Sequence, residues 1–474
     1  MLALRQFSPT AAAASGAALL LLAALGGCGG GLYRPPTPPA DTITFPTAST
    51  QGWLQQYGAP NQPASSFQQA GDTAAGIATD AAGNVFVLDQ TTGSFTTAPS
   101  QYTPQIAVTK FDSSGHVLWT QQFGTGSGDF PAAIAIDPTG NILVGAVTYG
   151  AFPGNTNPNR ALQGAVLKLN SSGSLVWAQQ FSYTLPTLVN GIATDPQGNV
   201  LVGGEIEPNN GFGYTNGWQN TEGNSFYSEG GFVRKLAAAD GSLLWNVTNT
   251  GYTGNYEVNA LATDANGDVL ATGFFPPATG NNGSTVFLVE KLSGASGQLV
   301  WQQLSAQVAY YNSHPAVAFY SVAADAQGDA LLGGDDASSG YARCAVFKIP
   351  ASGASALWQQ EFGAAQGCAA GGVAVDAAGN AALTGGMVSP FFAAQNPAKT
   401  DDIFVAKLDG SGNAVWLQQF GTGRDGGGTA TYTPVYAATD NQNRIDIAGT
   451  TSGAFPNFTN AKNLNQIFVT QFGP

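Results

Sequence analysis

The stretch Gly164–Gly204 decides the fold, reading GAVLKLNSSGSLVWAQQF from 164 to 181 and NGIATDPQGNVLVGG from 190 to 204. It contains four apolar runs of strand length, rich in Val, Leu and Ile. Tight-turn sequences join two pairs of these runs, Asn170-Ser-Ser-Gly173 and Asp195-Pro-Gln-Gly-Asn199. In such turns Asp or Asn bonds to nearby backbone, and Gly supplies a positive φ. The stretch therefore predicts antiparallel strand hairpins.

Two markers show that this stretch is one of seven repeats, which is the first thing to establish about a long chain. The first marker is an Asp-x-x-Gly-Asn/Asp turn, beginning at Asp80, Asp137, Asp195, Asp264, Asp325, Asp376 and, without its glycine, Asp440. The second marker is a tryptophan, at Trp53, Trp119, Trp177, Trp245, Trp301, Trp358 and Trp416. Seven copies of each marker indicate seven structural units.

The sequence of each unit predicts four strands, which we name a, b, c and d. In the second full unit they are predicted at Ala132–Ile136, Ile142–Val147, Gly164–Leu169 and Leu175–Phe181. Seven such units at this period predict an all-β fold, a seven-bladed β-propeller of four-stranded blades. An alanine precedes the turn Asp by two residues in every unit, which places strand a where strands crowd near the axis: Ala78, Ala135, Ala193, Ala262, Ala323, Ala374 and Ala438.

The propeller is predicted to close by pairing its N-terminal and C-terminal strands. Gly52–Gly58 is a d strand with no a, b or c before it, and Ile467–Pro474 is a c strand with no d after it. These two segments are the arms of one hairpin that is interrupted at its turn. Pairing them leaves no open edge between the first and last blades.

The first residues indicate export. Arg5, the apolar stretch Ala11–Leu25 and the cleavage sequence Leu25-Gly26-Gly27-Cys28 form a signal peptide over 1–27. The cleavage sequence resembles the bacterial lipobox, which implies lipidation of Cys28 and a membrane anchor. The alternative is an ordinary secretory signal that contains a cysteine. Residues 28–50 are rich in Pro and Gly and are predicted to be an extended tether before the propeller, 51–474.

Composition excludes some classes of function. The net charge is −14, with 15 Lys and Arg in 474 residues, so no basic patch is available to neutralise nucleic-acid phosphates. Six lysines share one position in strand c, which favours a structural role: Lys110, Lys168, Lys235, Lys291, Lys348 and Lys407. In an oxidising compartment Cys344 and Cys368 can form a disulfide, and the alternative is two buried thiols.

The repeat resembles two known families. Its D-x-x-G-N…V-x-G and K-x-x-x-x-G-x-x-x-W-x-Q-Q-F-G segments resemble the bacterial SBBP-type β-propeller repeat over essentially all of 51–474. That resemblance implies an exported, often surface-associated propeller, and it carries no agreed activity. The segment Asp409-x-x-Gly412-x-x-x-Trp416 is similar to the tryptophan-docking motif of quinoprotein dehydrogenases and of the propeller lipoprotein in outer-membrane assembly, although their extra Thr is missing.

Catalytic and metal-binding patterns are not evident in the sequence. The repeat places His116 in a c–d turn and His314 in a d–a link, at opposite ends of the propeller, so no catalytic triad or histidine metal site is predicted. No cofactor is predicted, and the turn aspartates are expected to cap turns. Two functions remain: a lipid-anchored binding or scaffold module with a monomeric body, or a propeller enzyme with a site at the channel mouth.

The predicted partner-binding surface is the face that carries the b–c and d–a links, which we call the long-link face. Strands alternate in direction, so all a–b and c–d turns lie on the opposite, short-turn face. The longest b–c link, Glu205–Gly230, holds aromatic candidates for a glycan or protein site: Phe212, Tyr214, Trp218, Phe226 and Tyr227. The alternative is that these rings pack on one another. With Gly29 after Cys28, the anchored protein is expected in the bacterial cell envelope, at the outer membrane.

Overall fold

The structure is a computed structural model of the whole chain. The residues that it describes are 51–60, 71–95, 103–183, 185–206, 230–248, 257–275, 284–304, 308–309, 317–336, 343–363, 368–387, 402–422, 435–460 and 464–474. They form seven antiparallel sheets, one for each predicted blade. The strands in the second blade extend the predicted bounds by three residues or fewer. Within these residues, no helix is long and apolar enough to span a membrane.

The strands are numbered β1 to β29 in chain order. Blades 1 to 3 contain β2 (Asp72–Thr79), β3 (Val85–Thr91), β4 (Gln105–Phe111), β5 (Val117–Phe123); β6 (Asp129–Ile136), β7 (Ile142–Thr148), β8 (Gln163–Leu169), β9 (Leu175–Phe181); and β10 (Thr187–Thr194), β11 (Val200–Ile206), β12 (Gly230–Leu236), β13 (Leu243–Thr248). Blades 4 and 5 contain β14 (Glu257–Thr263), β15 (Val269–Phe275), β16 (Ser284–Leu292), β17 (Leu299–Leu304), with β18 (Val308–Ala309) beside β16; and β19 (Val317–Ala324), β20 (Ala330–Asp336), β21 (Arg343–Ile349), β22 (Trp358–Phe362). Blades 6 and 7 contain β23 (Cys368–Val375), β24 (Ala381–Met387), β25 (Asp402–Leu408), β26 (Ala414–Phe420); and β27 (Tyr436–Thr439), β28 (Ile445–Thr451), β29 (Gln466–Phe472), β1 (Gln51–Tyr57).

The seventh blade confirms the predicted closure. Its sheet order is β27-β28-β29-β1, so the first strand of the chain lies outside the last one. The two strands are antiparallel, with Gln51 opposite Phe472 and Tyr57 opposite Ile467. Each blade's a strand contacts the a strands of both neighbouring blades, including β27 with β2. The Thr79 hydroxyl also donates to the Thr439 carbonyl at 2.8 Å, which joins blade 1 to blade 7 beside the axis.

The a–b turns show why each repeat needs its aspartate. Asp137 Oδ1 accepts hydrogen bonds of 2.9 Å from the backbone N–H groups of Thr139 and Asn141. The turn Asp of every blade makes the same two bonds, to the second and fourth residues after it. Gly140 has a φ of 83°, which glycine adopts at little cost. In blade 7 Asn443 takes this place with a φ of 61°.

The strand c lysines bind these turns, as the structural interpretation predicted. Each of the six lysine Nζ atoms lies 2.7–3.5 Å from the Oδ2 atom of the turn Asp in its own blade. Although burial acts to raise it, hydrogen bonds from Asn141 and Lys168 lower the pKa of Asp137 to about 2. The lysines are therefore committed to the turns and are not available to bind a ligand.

The tryptophans that recur once per repeat join neighbouring blades. Each indole lies against the glycine of the next blade's c–d turn, where an added methyl group would be within 3.1 Å of the ring: Trp53 on Gly115, Trp119 on Gly173, Trp177 on Gly241, Trp245 on Gly297, Trp301 on Gly353 and Trp358 on Gly412. The Trp358 N–H also donates to the Gly410 carbonyl at 3.0 Å. The c–d glycine therefore serves both the turn and the contact between blades.

Two glycine substitutions in blade 6 separate these roles. Gly379→Ala and Gly412→Ala place alanine at a φ of 82° and 83°, but only Gly412 has an indole, that of Trp358, in the way. We expect Gly379→Ala to lower the free energy of unfolding by about 1–2 kcal/mol. Gly412→Ala should lower it by roughly 1–3 kcal/mol more, because the added methyl overpacks the contact. Denaturant titration of both variants measures the difference, and equal losses would contradict the docking role.

Candidate functional site

The two faces of the propeller carry different connections between strands, short turns on one and links of variable length on the other. The a–b and c–d turns meet the short-turn face in every blade except the seventh, whose c–d turn is interrupted between β29 and β1. The b–c links differ in length, from 337–342 in blade 5 to 207–229 in blade 3, and they all leave from the long-link face. A rigid ring that presents variable segments on one face is the usual arrangement for recognition.

Glutamines at the end of strand d hold the described b–c links in place. In blade 2, Gln180 donates from Nε2 to the Gly150 carbonyl at 3.0 Å and to Gln163 Oε1 at 2.9 Å. Its Oε1 accepts from the Phe152 N–H at 2.6 Å. Gln122 in blade 1 and Gln56 in blade 7 make the corresponding bonds. The second Gln of each of these pairs therefore fastens the link to its own blade through its side-chain amide.

Polar side chains lie on one side of the propeller axis, on the innermost strands of blades 3 to 5. Each innermost strand has a β-bulge, where one residue has no partner in the ladder. In blades 3 and 4 the bulge residues are Asn190 and Asn259, and their side-chain amides donate to the next blade's Val258 and Phe319 carbonyls at 3.0 and 3.3 Å. The bulge residue of blade 5 is Tyr320. Blades 1 and 2 carry alanine there.

Asp335 continues this polar arc, which we define as Asn190, Asn259, Tyr320 and Asp335. It lies near the end of β20 at the long-link face, and its Oδ1 accepts from the Ala370 N–H of blade 6 at 2.7 Å. Burial raises the pKa of Asp335 to about 8, against the lowering effect of hydrogen bonds from Ala370 and Tyr320. The carboxyl is therefore mostly protonated at neutral pH, which is a feature of functional sites and also of buried structural acids.

The disulfide lies beside this arc. Cys344 and Cys368 are bonded in the structure, with a Cα–Cα distance of 5.3 Å, and both are fully buried. Cys344 is opposite Asp335 in the β20–β21 register, whereas Cys368 begins β23. The bond thus joins blade 5 to blade 6 at the long-link face, and it resolves the alternative of two buried thiols.

The structure describes only some of the other residues that the sequence analysis singled out. Cys28 and the five aromatic candidates Phe212, Tyr214, Trp218, Phe226 and Tyr227 lie outside the described residues, as does His314. His116 lies on a c–d turn, where its Nδ1 is 3.0 Å from Asp112 Oδ2. Among the described residues, no group of three or more His, Cys, Asp or Glu side chains is placed to hold a metal ion.

A buried acid at the seam between blades 7 and 1 was not among the residues predicted from the sequence, although it departs from the repeat. Asp89 is fully buried in β3, at the strand b position that holds Gly or Ala in the other six blades. Burial and the nearby Asp72 carboxylate raise the pKa of Asp89 well above its usual range, while the Tyr57 hydroxyl acts in the opposite direction. Tyr57 belongs to β1, where four other blades have Phe at the corresponding position, so an unusual Tyr and an unusual Asp meet at the closing seam.

A comparison with protein-family models identifies the repeat. The family model described as SBBP, beta-propeller repeat, matches residues 118–153 and 176–210. No curated protein sequence matches the chain.

Among solved structures, the chain is similar to the polysaccharide lyase Uly1, with 10% identity and a TM-score of 0.47 over 84% of this chain and 89% of that one. It is also similar to an ulvan lyase bound to -[GlcA(1-4)Rha3S]-, with 10% identity and a TM-score of 0.46 over 88% and 96%. For prolyl oligopeptidase B from Galerina marginata the identity is 9% and the TM-score 0.42 over 83% and 49%. At these values the similarities say nothing about the activity of this chain.

The raised pKa of Asp335 should make the stability of the fold depend on pH. Because its pKa in the fold, about 8, is above the ordinary value of about 3.9, the folded state binds the extra proton and stability falls as pH rises through this window. We expect Asp335→Asn to lose less stability than the wild type between about pH 5 and pH 9. Thermal unfolding at several pH values measures this.

The control for this measurement is Asp240→Asn. Asp240 is exposed on a c–d turn, and hydrogen bonds from Ser242 lower its pKa, so it is fully ionised throughout the same range. Its replacement should leave the slope of stability against pH unchanged. A wild-type slope in the Asp335→Asn protein would show that this carboxyl does not titrate near pH 8.

Proposed function

Since this chain carries SBBP beta-propeller repeats, we propose that it is a lipid-anchored, extracytoplasmic binding module that recognises a protein or glycan partner through its long-link face. The observation that carries the proposal is the difference between the two faces. On the short-turn face, lysines, turn aspartates and tryptophans are committed to bonds within and between blades. On the long-link face, segments of differing length start from strand ends that are held by side-chain clamps. Such an arrangement presents variable chemistry without disturbing the ring.

The polar arc supports binding in preference to catalysis. An enzyme at the channel mouth requires carboxylate or amide groups that converge on one point and are free to contact a substrate. The amides of Asn190 and Asn259 and the Asp335 carboxyl instead bond to the backbone of the next blade. These groups therefore hold adjacent blades together, which leaves recognition to the links.

We assign the partner site to the aromatic residues of the link 207–229. Aromatic rings among Asn and Gly are suited to stacking on sugars or to anchoring a protein partner. The double variant Trp218→Ala and Tyr214→Ala should lose partner binding by about tenfold or more, because an interface hot spot contributes about 2 kcal/mol or more. Glycan arrays and affinity capture from envelope extracts with the full mature chain measure this binding.

The matched control is Leu118→Ala, which removes an exposed apolar side chain on the opposite face. It should leave partner binding unchanged. If the double variant melts at a lower temperature and binds as well as the wild type, the aromatic residues only hold the link together and the assignment is wrong.

The anchor is tested separately. Export and cleavage at the Leu25–Cys28 sequence should give a mature chain that begins at Cys28 and carries acyl chains. Intact-mass measurement of the protein from the envelope fraction detects this modification, and Cys28→Ser should release the protein from membranes. A mature chain without acyl groups would remove the anchor from the proposal but would leave the binding face unaffected.

A further inference from the structure

The large apolar side chains that the described residues expose are not scattered. All of them lie at the beginning of strand d, next to the short-turn face: Val117, Leu118, Val176, Leu243, Leu244, Val300, Leu357 and Val415. Six blades contribute the residue directly before the docked tryptophan, with 53% of Leu118 and 57% of Leu357 exposed. We call the six residues Leu118, Val176, Leu244, Val300, Leu357 and Val415 the aliphatic rim. Single exposed apolar residues are ordinary, but the same position in six blades is not.

The geometry of the rim limits what can contact it. Equivalent positions of a closed propeller lie on one circle around its axis, and hence in one plane. A compact protein partner would reach the rim of one or two neighbouring blades, whereas a flat surface beneath the short-turn face meets all six. The kind of partner that fits the rim is therefore planar and apolar beneath its surface, which describes a lipid bilayer.

The entry of the chain points to the same face. Gln51 begins β1 opposite Phe472, and Phe472 is opposite Ile445, the first residue after the a–b turn of blade 7. Residues 1–50 therefore join the propeller at the short-turn face. In blade 7 itself the rim position is Gly52, so the blade that receives the tether lacks the aliphatic side chain that the other six share. The tether, residues 28–50, is short enough to keep that face within about 80 Å of an anchor at Cys28.

The charges of the short-turn face are compatible with lipid. Most a–b turn aspartates are paired one to one with a lysine, or in blade 7 with Arg444. In blades 4 and 5 a second aspartate, Asp268 or Asp329, shares the lysine and adds a negative charge. Asp112, Asp240 and Asp409 remain on the c–d turns, and hydrogen bonds within those turns lower the pKa of each. These carboxylates are ionised at neutral pH, which favours zwitterionic over anionic lipid.

We infer that the aliphatic rim rests on the bilayer to which the tether is anchored, so that the long-link face points away from the membrane. This inference depends on the proposed lipid anchor and adds an orientation to it. It assigns Leu118 and its five equivalents to contact with lipid, and the links to the opposite, accessible side.

Site-directed fluorescence on vesicles tests the orientation. In the lipidated mature protein Cys28 carries acyl chains and Cys344 is bonded to Cys368, so one introduced cysteine is the only free thiol. Leu118→Cys places an environment-sensitive label on the rim, and Ala161→Cys places it at an exposed position of a b–c link on the other face. On phosphatidylcholine–phosphatidylethanolamine vesicles containing nitroxide lipid, the label at 118 should shift to the blue and be quenched, whereas the label at 161 should stay aqueous.

A further variant tests whether the aliphatic side chains cause the contact. Replacing Leu118, Leu244 and Leu357 by Ser, with the label moved to Val176→Cys, should abolish most of the quenching while vesicle flotation and thermal unfolding remain unchanged. Protein that floats with the vesicles but shows no quenching at 118, or shows it at 161, overturns the inference and leaves the anchor intact. Protein that does not float overturns the anchor and the orientation with it. Stronger quenching on anionic vesicles would contradict the assigned lipid preference.

Discussion

The contact between an indole and the next blade's turn glycine sets the geometry of this propeller. It places the outermost strand of one blade on the c–d hairpin of the next, and a side chain at the glycine would collide with the ring. The same hairpin gives the indole N–H a carbonyl acceptor in most blades. The same glycine must allow the tight c–d turn and must leave room for the indole of the neighbouring blade. The turn sequence and the angle between blades therefore cannot vary independently.

Blade 7 shows how the ring tolerates a blade built from two distant segments. Its strand c has Gln471 in place of the lysine, and Arg444, from the turn itself, supplies the cation for Asp440. Gln471 instead donates to Asp446 at 2.9 Å, and burial raises the pKa of Asp446 to about 7. Trp416 faces the interrupted hairpin, and among the described contacts its indole N–H has no acceptor. The seam keeps the architecture of the other blades with a different set of polar contacts.

Sequence reasoning succeeded where a residue type repeats for one physical reason. The Asp turns, the structural role of the strand c lysines, the repeated tryptophan positions and the c–d closure of the termini were predicted, because each recurs at one position or completes a repeat. The contact of each indole with the next blade was not predicted. Sequence reasoning failed where a side chain acts only once. The Asp89–Tyr57 neighbours and the protonated Asp335 depend on which strands face one another across a blade boundary. The Arg444 replacement is confined to one turn of blade 7. Their signal was present as a departure from the repeat, an Asp where other blades have Gly or Ala, but a departure alone does not identify its partner.

The contact between indole and turn glycine also explains why one face tolerates less sequence change than the other. Residues near the short turns take part in contacts within and between blades, so a change there disturbs two blades at once. Where the links are described, the glutamine clamp fastens their backbone to their own blade. The link residues Phe95 and Phe455 also contact the preceding blade, at Tyr57 and Phe420. Beyond these fixed points a link can lengthen or change composition while the ring persists. Closure through β1 brings the chain into the propeller on the face that is already committed to structure. A chain that entered among the links would take up space on the variable face, whereas here β1 begins at the short-turn face.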